Sequence, residues 1–423
     1  MTDNHGTTDN HGAETQQTFV IIGAGQAGAI AAAELRKGGF QGRLVMIGDE
    51  PHLPYERPPL SKDVMLKPDQ ARITIHPAEF YAENGIETRL GVIVETIDRE
   101  ARQLKLSTGE SLGYDRLLLA TGARARRYPL LDALGTGVFT VRTLADAQGL
   151  RAAIRPGARV LIVGGGIIGL EVAASSVMLG ATVTVIERGD RLMARSAPPP
   201  LAEALMAMHR ERGVAFHFGA AIVAAERTAD GAIVLSCEDG RRFEGDVVVY
   251  GIGVELNVEL ARAAGLRVED GIVTDEQGRT SDPAIFAAGD VARQWNPAQG
   301  RHVRQETWLN AQAQAIGAAH AMLTGEPVAA ELPWYWTDQY DRNFQVAGAI
   351  DATEWRLRGE PSSGRYTLFG LTDGRVTGAI TVNNGREMRP ARQLLAAGGA
   401  GIDTVRLCDP KQDLRKLVAA VTG

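Results

Sequence analysis

The sequence predicts an α/β protein with two Rossmann-like parallel-sheet units and a smaller C-terminal α+β unit, on three observations. An apolar run ends in a glycine-rich turn at Val20-Ile21-Ile22-Gly23-Ala24-Gly25-Gln26-Ala27-Gly28. The design repeats at Val160-Leu161-Ile162-Val163-Gly164-Gly165-Gly166-Ile167-Ile168-Gly169, and from about residue 329 the pattern changes to short alternating strands. Each glycine turn opens an alanine-rich helix, the setting in which backbone N–H groups cradle a pyrophosphate. One such turn is weak evidence. Two in one chain indicate two dinucleotide-binding domains and electrons passing between two cofactors.

Composition narrows the class. The chain has 423 residues, 44% hydrophobic and 23% charged, enough for two or three domains with full cores. Residues 1–17 are polar, contain a doubled Thr-Asp-Asn-His-Gly, and read as a disordered tail. His5 and His11 in that tail lack the packed surroundings that hold a metal, so no metal is expected. Without a basic-then-apolar leader or a run long enough to cross a bilayer, the expected location is the cytoplasm, with no membrane contact. The net charge of −6 argues against a nucleic-acid partner. The two cysteines, Cys237 and Cys408, are far apart and outside any C-x-x-C pair, which closes a dithiol relay.

In chain order, the first turn leads through a helix at 29–37 to a strand at 43–47 that ends in Gly48-Asp49-Glu50. An acid here takes the hydroxyls of an adenosine ribose. Set against the second unit the usual acidic position falls on Gly48, so the role passes to Asp49, with Glu50 beside it. The buried strand Leu117-Leu118-Leu119 ends in Ala120-Thr121-Gly122, and Val247 to Gly253 repeats that design after the second unit. Both mark crossings between domains. In the second unit a helix at 171–179 leads to the strand Thr182–Ile186, which ends directly in Glu187. A carboxylate there accepts from both ribose hydroxyls and repels a 2′-phosphate, so NADH is expected over NADPH, although Arg188 and Arg191 stand nearby. Later, Thr280 to Asp290 offers a strand, the close-approach Gly289 and the carboxylate of Asp290.

Together these stretches resemble the glutathione-reductase-like two-dinucleotide flavoproteins. The resemblance implies FAD at Gly23, Gly25 and Gly28, with Asp49, Glu50, Ala120, Thr121, Gly122, Gly289 and Asp290 around it, Asp290 meeting the ribityl chain. It implies NADH at Gly164, Gly166, Gly169, Glu187 and Gly253. The expected domains are 18–122 with 255–328 for FAD, 123–254 for NADH, and 329–423 as a C-terminal interface domain.

Pro54-Tyr55-Glu56-Arg57-Pro58-Pro59-Leu60-Ser61-Lys62 occupies the region where disulfide reductases carry their cysteine pair, and it has none. This segment, Glu306 to Gln312 and Leu332 to Gln339 resemble the ferredoxin reductases of oxygenase systems, most closely those of biphenyl and related aromatic-ring dioxygenases. The resemblance places Lys62 beside the flavin, paired with Glu171, where a cation favours the reduced anionic flavin and needs a buried partner. Arg57, Pro58 and Pro59 fix the loop carrying Lys62, and Arg57 can anchor FAD phosphates. Trp308 lies near the flavin, Trp336 shapes the electron exit, and Trp334 is a packing residue. The implied reaction takes a hydride from NADH onto FAD and delivers single electrons to a two-iron two-sulfur ferredoxin of Rieske type. Arg301, Arg304, Arg386, Arg389 and Arg392 are candidates for a docking rim.

Within the C-terminal unit, strands are expected at 344–350, 365–371 and 375–382 and helices at 389–397 and 414–421. A monomer or a homodimer suits this organisation. Rival readings are a reductase of rubredoxin or of a haem monooxygenase's ferredoxin, and, from another class, an apoptosis-inducing-factor-like binding protein.

Overall fold

Continuous Val/Ile/Leu runs form strands buried on both faces, the mark of parallel sheets covered by helices on either side. The computed structural model describes residues 16–297, 299–328, 332 and 334–422. The tail read at 1–17, with His5 and His11, lies outside this range except for Gln16 and Gln17.

Thr18–Ile22 is the central strand of a five-stranded parallel sheet, flanked by Arg43–Gly48 and Ile86–Leu90 on one side and by Arg116–Leu119 and Ile285–Ala287 on the other. Alternate residues feed two cores. Phe19, Ile21, Leu44, Met46, Leu118 and Phe286 pack against the helices Gln26–Lys37 and Trp308–Thr324, while Val20, Ile22, Val45, Ile47, Leu117 and Leu119 fill the opposite face. The Ile285–Ala287 strand brings Gly289 and Asp290 back to this sheet after the whole second unit has intervened.

The second sheet repeats the plan with five parallel strands. Arg159–Val163 lies between Thr182–Ile186 and Val247–Tyr250, with Ala215–His217 and Val138–Phe139 at the edges. Between the two sheets the crossing segments Ala123–Ala125 and Val254–Leu256 pair antiparallel. Asn257 locks this ribbon, accepting from the Thr121 hydroxyl through its carbonyl and donating its side-chain amide to the Thr121 carbonyl at 2.7 and 2.8 Å.

The C-terminal unit is a five-stranded antiparallel sheet in the order Trp334–Gln339, Arg342–Gly348, Arg375–Val382, Arg365–Thr372, Glu354–Glu360. One face, with Phe344, Val346, Ile380 and Val382, joins the core of the second unit. The other, with Phe369, Leu371 and Ala379, packs on the helices Gly385–Ala396 and Leu414–Thr422. The α/β architecture with a C-terminal α+β unit is as the sequence predicts. Two strands, Trp334–Gln339 and Glu354–Glu360, and the short helix Thr404–Cys408 were not expected from the sequence. The helix expected at 389–397 begins at Gly385 and takes Pro390 inside it, because Met388, Ala391 and Leu394 form one buried stripe. Among the described residues no helix is long and apolar enough to cross a membrane.

Candidate active site

The two glycine turns have the same backbone construction. Gly23 has φ +116°, and a Cβ there would lie 2.1 Å from the Ala120 carbonyl oxygen. Gly164 has φ +105°, and its Cβ would lie 2.5 Å from the Gly251 carbonyl oxygen. Gly28 and Gly169 sit against the carbonyls of Gly23 and Gly164, where a Cβ would approach to 1.9 and 2.5 Å. The middle glycines differ: a Cβ at Gly25 or Gly166 meets no atom within 4 Å. First and third glycines therefore satisfy tight packing, and the second leaves open space at a helix N-terminus for a ligand's phosphates. Beside the first turn, the side-chain amide of Gln26 is buried with neither its oxygen nor its nitrogen hydrogen-bonded to protein. An orphaned amide in an open cradle fits a bound dinucleotide.

Lys62 and Glu171, 109 residues apart in the chain, come together from the first and second units. The prolines at 58 and 59 start a single 3-10 turn, Pro58–Ser61, which hands Lys62 to the short helix Asp63–Leu66. Glu171, on the helix Ile167–Met178 that follows the second turn, is 3% exposed and accepts from Lys62 Nζ at 3.0 Å, Ser61 Oγ at 2.5 Å and Thr337 Oγ1 at 2.7 Å. Ser175, one helical turn on, donates to the Ser61 carbonyl at 2.6 Å. Three donors on one carboxylate are the condition under which a buried ion pair is tolerated. Ser61, Ser175 and Thr337 were missed by sequence reasoning, although Ser61 lies in the motif that carries Lys62.

Asp290 is also engaged. Its carboxylate accepts from Arg142 at 2.9 Å, while Arg142 Nε donates to the Ala123 carbonyl at 2.8 Å, beside Gly122. Arg57 donates to the Arg142 carbonyl and to Glu50 at 2.8 Å, and Tyr55 donates to Glu50 at 2.6 Å. Glu50 is thus held within a network that also orients Arg57, while Asp49 is exposed. Arg142 has no motif of its own; its place follows from the capping box of Thr143 and Asp146 directly after it. Gly289 is held through its N–H by Gln314 at 2.9 Å and lies against Ala27 of the first turn.

Trp308 is the first residue of the helix capped by Thr307, and its ring stands edge-on to Trp336 with centroids 5.3 Å apart. Trp334 lies 5.8 Å from Trp336 and under the Arg392 guanidinium at 5.1 Å. Of the candidate rim, Arg304 is paired with Asp270 and Glu306, while Arg301, Arg386 and Arg389 are exposed.

In the second unit, Glu187 accepts from the backbone N–H of Gly165 and of Gly189, each at 2.6 Å. Arg191 donates to the carbonyls of Ala194 and Ala197 and so braces its own loop, whereas Arg188 is exposed. Gly253, with φ +111°, faces the guanidiniums of Arg195 and Arg126. Cys237 is buried in the second unit and Cys408 lies in the third, and burial pushes both thiols up from their ordinary values.

The chain matches the family model described as pyridine nucleotide-disulphide oxidoreductase over residues 17–315 and that described as reductase C-terminal over 334–418. It is 48% identical over 380 residues, 90% of its length and 96% of the relative's, to the 3-phenylpropionate/cinnamic acid dioxygenase ferredoxin–NAD(+) reductase component of Photorhabdus laumondii. Among solved structures it resembles putidaredoxin reductase in its covalent complex with putidaredoxin, at TM-score 0.90 and 34% identity over 96% of this chain and 99% of that one. It is equally similar, at TM-score 0.90 and 34% identity over 95% and 99%, to the ferredoxin reductase for the CYP199A2 system of Rhodopseudomonas palustris. With two complete glycine cradles and matches along nearly its whole length, the chain belongs to the pyridine nucleotide-disulphide oxidoreductase family.

Proposed function

We propose that this chain is an NADH-dependent, FAD-containing reductase that delivers electrons to a two-iron two-sulfur ferredoxin of Rieske type, which feeds an aromatic-ring-hydroxylating dioxygenase. The observation that carries the reading is the pair of open glycine cradles in a chain with no thiol in the segment around Lys62. The dioxygenase setting is favoured over a haem monooxygenase by the identities, 48% to a dioxygenase reductase component against 34% to putidaredoxin reductase.

FAD belongs to the first cradle, with residues 18–122 and 255–328 as its domain, and NADH to the second, with 123–254. When bound, FAD supplies the change from two-electron input to one-electron output. The protein's part is positioning. Gly25 and Gly166 leave room for the phosphates, and Asp290 and Arg142 offer an acceptor and a donor to the polyol and pyrophosphate. Glu187 keeps lone pairs free for the ribose hydroxyls of NADH while it braces the turn. Lys62 holds a fixed positive charge at the flavin ring, and Glu171, anchored by Ser61 and Thr337, fixes where that ammonium stands. Trp308 and Trp336 wall the exit, and the exposed Arg386 and Arg389 offer charge to an acidic partner.

The test is NADH-dependent cytochrome c reduction with and without a Rieske-type ferredoxin. Large stimulation by the ferredoxin supports the reading, and rapid flavin reduction without stimulation contradicts the acceptor. Raising salt should slow the ferredoxin step steeply and leave flavin reduction by NADH nearly unchanged. A flat profile would remove the arginine rim.

A further inference from the structure

A line of buried polar side chains leads away from Glu171 into the C-terminal unit. Thr337 Oγ1 is 2.7 Å from Glu171, Gln339 Nε2 is 3.0 Å from Thr337 Oγ1, His209 Nε2 is 2.7 Å from Gln339 Oε1, and Tyr340 Oη is 3.0 Å from His209 Nδ1. Glu171, Thr337, Gln339 and His209 are at most 3% exposed. His209, on the helix Pro199–Arg210, takes no part in the chemistry assigned above.

Each proton in this line is fixed by the one before it. An ionised carboxylate only accepts, so the Thr337 hydroxyl donates to Glu171. Thr337 then accepts from the Gln339 amide nitrogen, which turns the Gln339 carbonyl toward His209. That carbonyl needs a donor, so Nε2 of His209 carries the proton and Nδ1 is bare, ready to accept from the Tyr340 hydroxyl. Burial lowers the imidazole to about 4, so the ring is neutral at physiological pH. The Arg212 guanidinium, 4.4 Å above the Tyr340 ring and paired with Asp341 at 2.7 Å, closes the outer end.

We infer that His209 is a positioning residue for Glu171: its Nε2–H holds the Gln339 amide in the one orientation that keeps the Thr337 proton on the carboxylate, and so supports the anchoring of the Lys62–Glu171 pair. Without the imidazole the buried Gln339 carbonyl has no donor, the amide is no longer held on Thr337, and the Thr337–Glu171 hydrogen bond loses its support. Removing His209 therefore loosens the hydrogen bond that removing the Thr337 hydroxyl deletes. The consequence at the flavin rests on the proposed place of Lys62; the chain itself does not.

Two measurements on the full-length protein separate these claims. Long-range proton–nitrogen correlation spectra of the histidine-labelled wild type should show His209 as the neutral Nε2–H tautomer, and an Nδ1–H tautomer or a charged ring overturns the chain without reference to flavin. The flavin midpoint potential should move to more negative values in Thr337→Val, in the same direction but less in His209→Phe, no further in the double variant than in Thr337→Val, and back to wild type in Thr337→Ser. A shift in Thr337→Val with none in His209→Phe overturns the role of His209. Lys62→Met should move the potential most. If it moves nothing, the proposed place of Lys62 fails and the tautomer alone decides the chain.

Discussion

The two glycine turns share a backbone and differ by an exchange of side chains. In both, the first glycine N–H is held by the neighbouring strand, Gly23 by the Ile47 carbonyl at 2.7 Å and Gly164 by the Ile186 carbonyl at 2.9 Å. In the first turn the next residue is Ala24 and the strand end opposite is Gly48, where a Cβ would meet the Ala24 methyl at 2.5 Å. In the second turn the next residue is Gly165 and the strand end is Glu187, whose carboxylate lies 3.1 Å from where a Gly165 Cβ would be. The bulk sits on the turn in one unit and on the strand in the other. The backbone cradle serves any pyrophosphate, so the strand-end side chain is the part free to discriminate between nucleotides.

The largest expected effect comes from breaking the shared part. Gly28→Ala drives a methyl into the Gly23 carbonyl and should abolish flavin retention, with a loss of roughly 3 kcal/mol or more in unfolding experiments. Gly169→Ala, with a less severe clash, should weaken NADH binding while the protein stays yellow; equal flavin loss in both would erase the distinction between the two sites. Next, Glu187→Ala should narrow the preference for NADH over NADPH by about 1 to 3 kcal/mol, measured as the ratio of kcat/KM values. Unchanged discrimination would show that Glu187 does not read the ribose. The smallest effect sharpens the exchange itself. Gly48→Glu should destabilise the protein, and adding Ala24→Gly should restore about 1 kcal/mol by a double-mutant cycle, whereas strict additivity would mean the two positions do not share space.

The turns and their strands are legible because local backbone geometry imposes glycine at fixed spacing and both-face burial imposes Val, Ile and Leu. Glu187 is legible because it follows its strand directly. The displaced acids Asp49 and Glu50 are not resolved by spacing, and only the three-dimensional contacts show Glu50 tied to Arg57 and Tyr55 with Asp49 exposed. The pairing of Lys62 with Glu171 came from family resemblance, since no local pattern connects residues so distant in the chain. Arg142 carries no motif beyond the capping box that follows it, and His209 gives no signal at all. Their partners, Asp290 and Gln339, lie far along the sequence and meet them only once the sheets are docked. The strand Trp334–Gln339 escapes for a related reason: its inward positions Tyr335, Thr337 and Gln339 are polar and give no apolar alternation, and they are satisfied by the Ser196 carbonyl, Glu171 and His209.

In the proposed function two dissimilar nucleotides occupy two similar cradles and electrons leave one at a time. Anaerobic rapid mixing tests it most directly, with the yellow protein mixed first with NADH and then with oxidised Rieske-type ferredoxin. NADH should bleach the flavin, NADPH should bleach it far more slowly, and two ferredoxin molecules should then be reduced for each flavin reoxidised. Bleaching at equal rates by both nucleotides, or a bleached flavin that ferredoxin does not reoxidise, would contradict it.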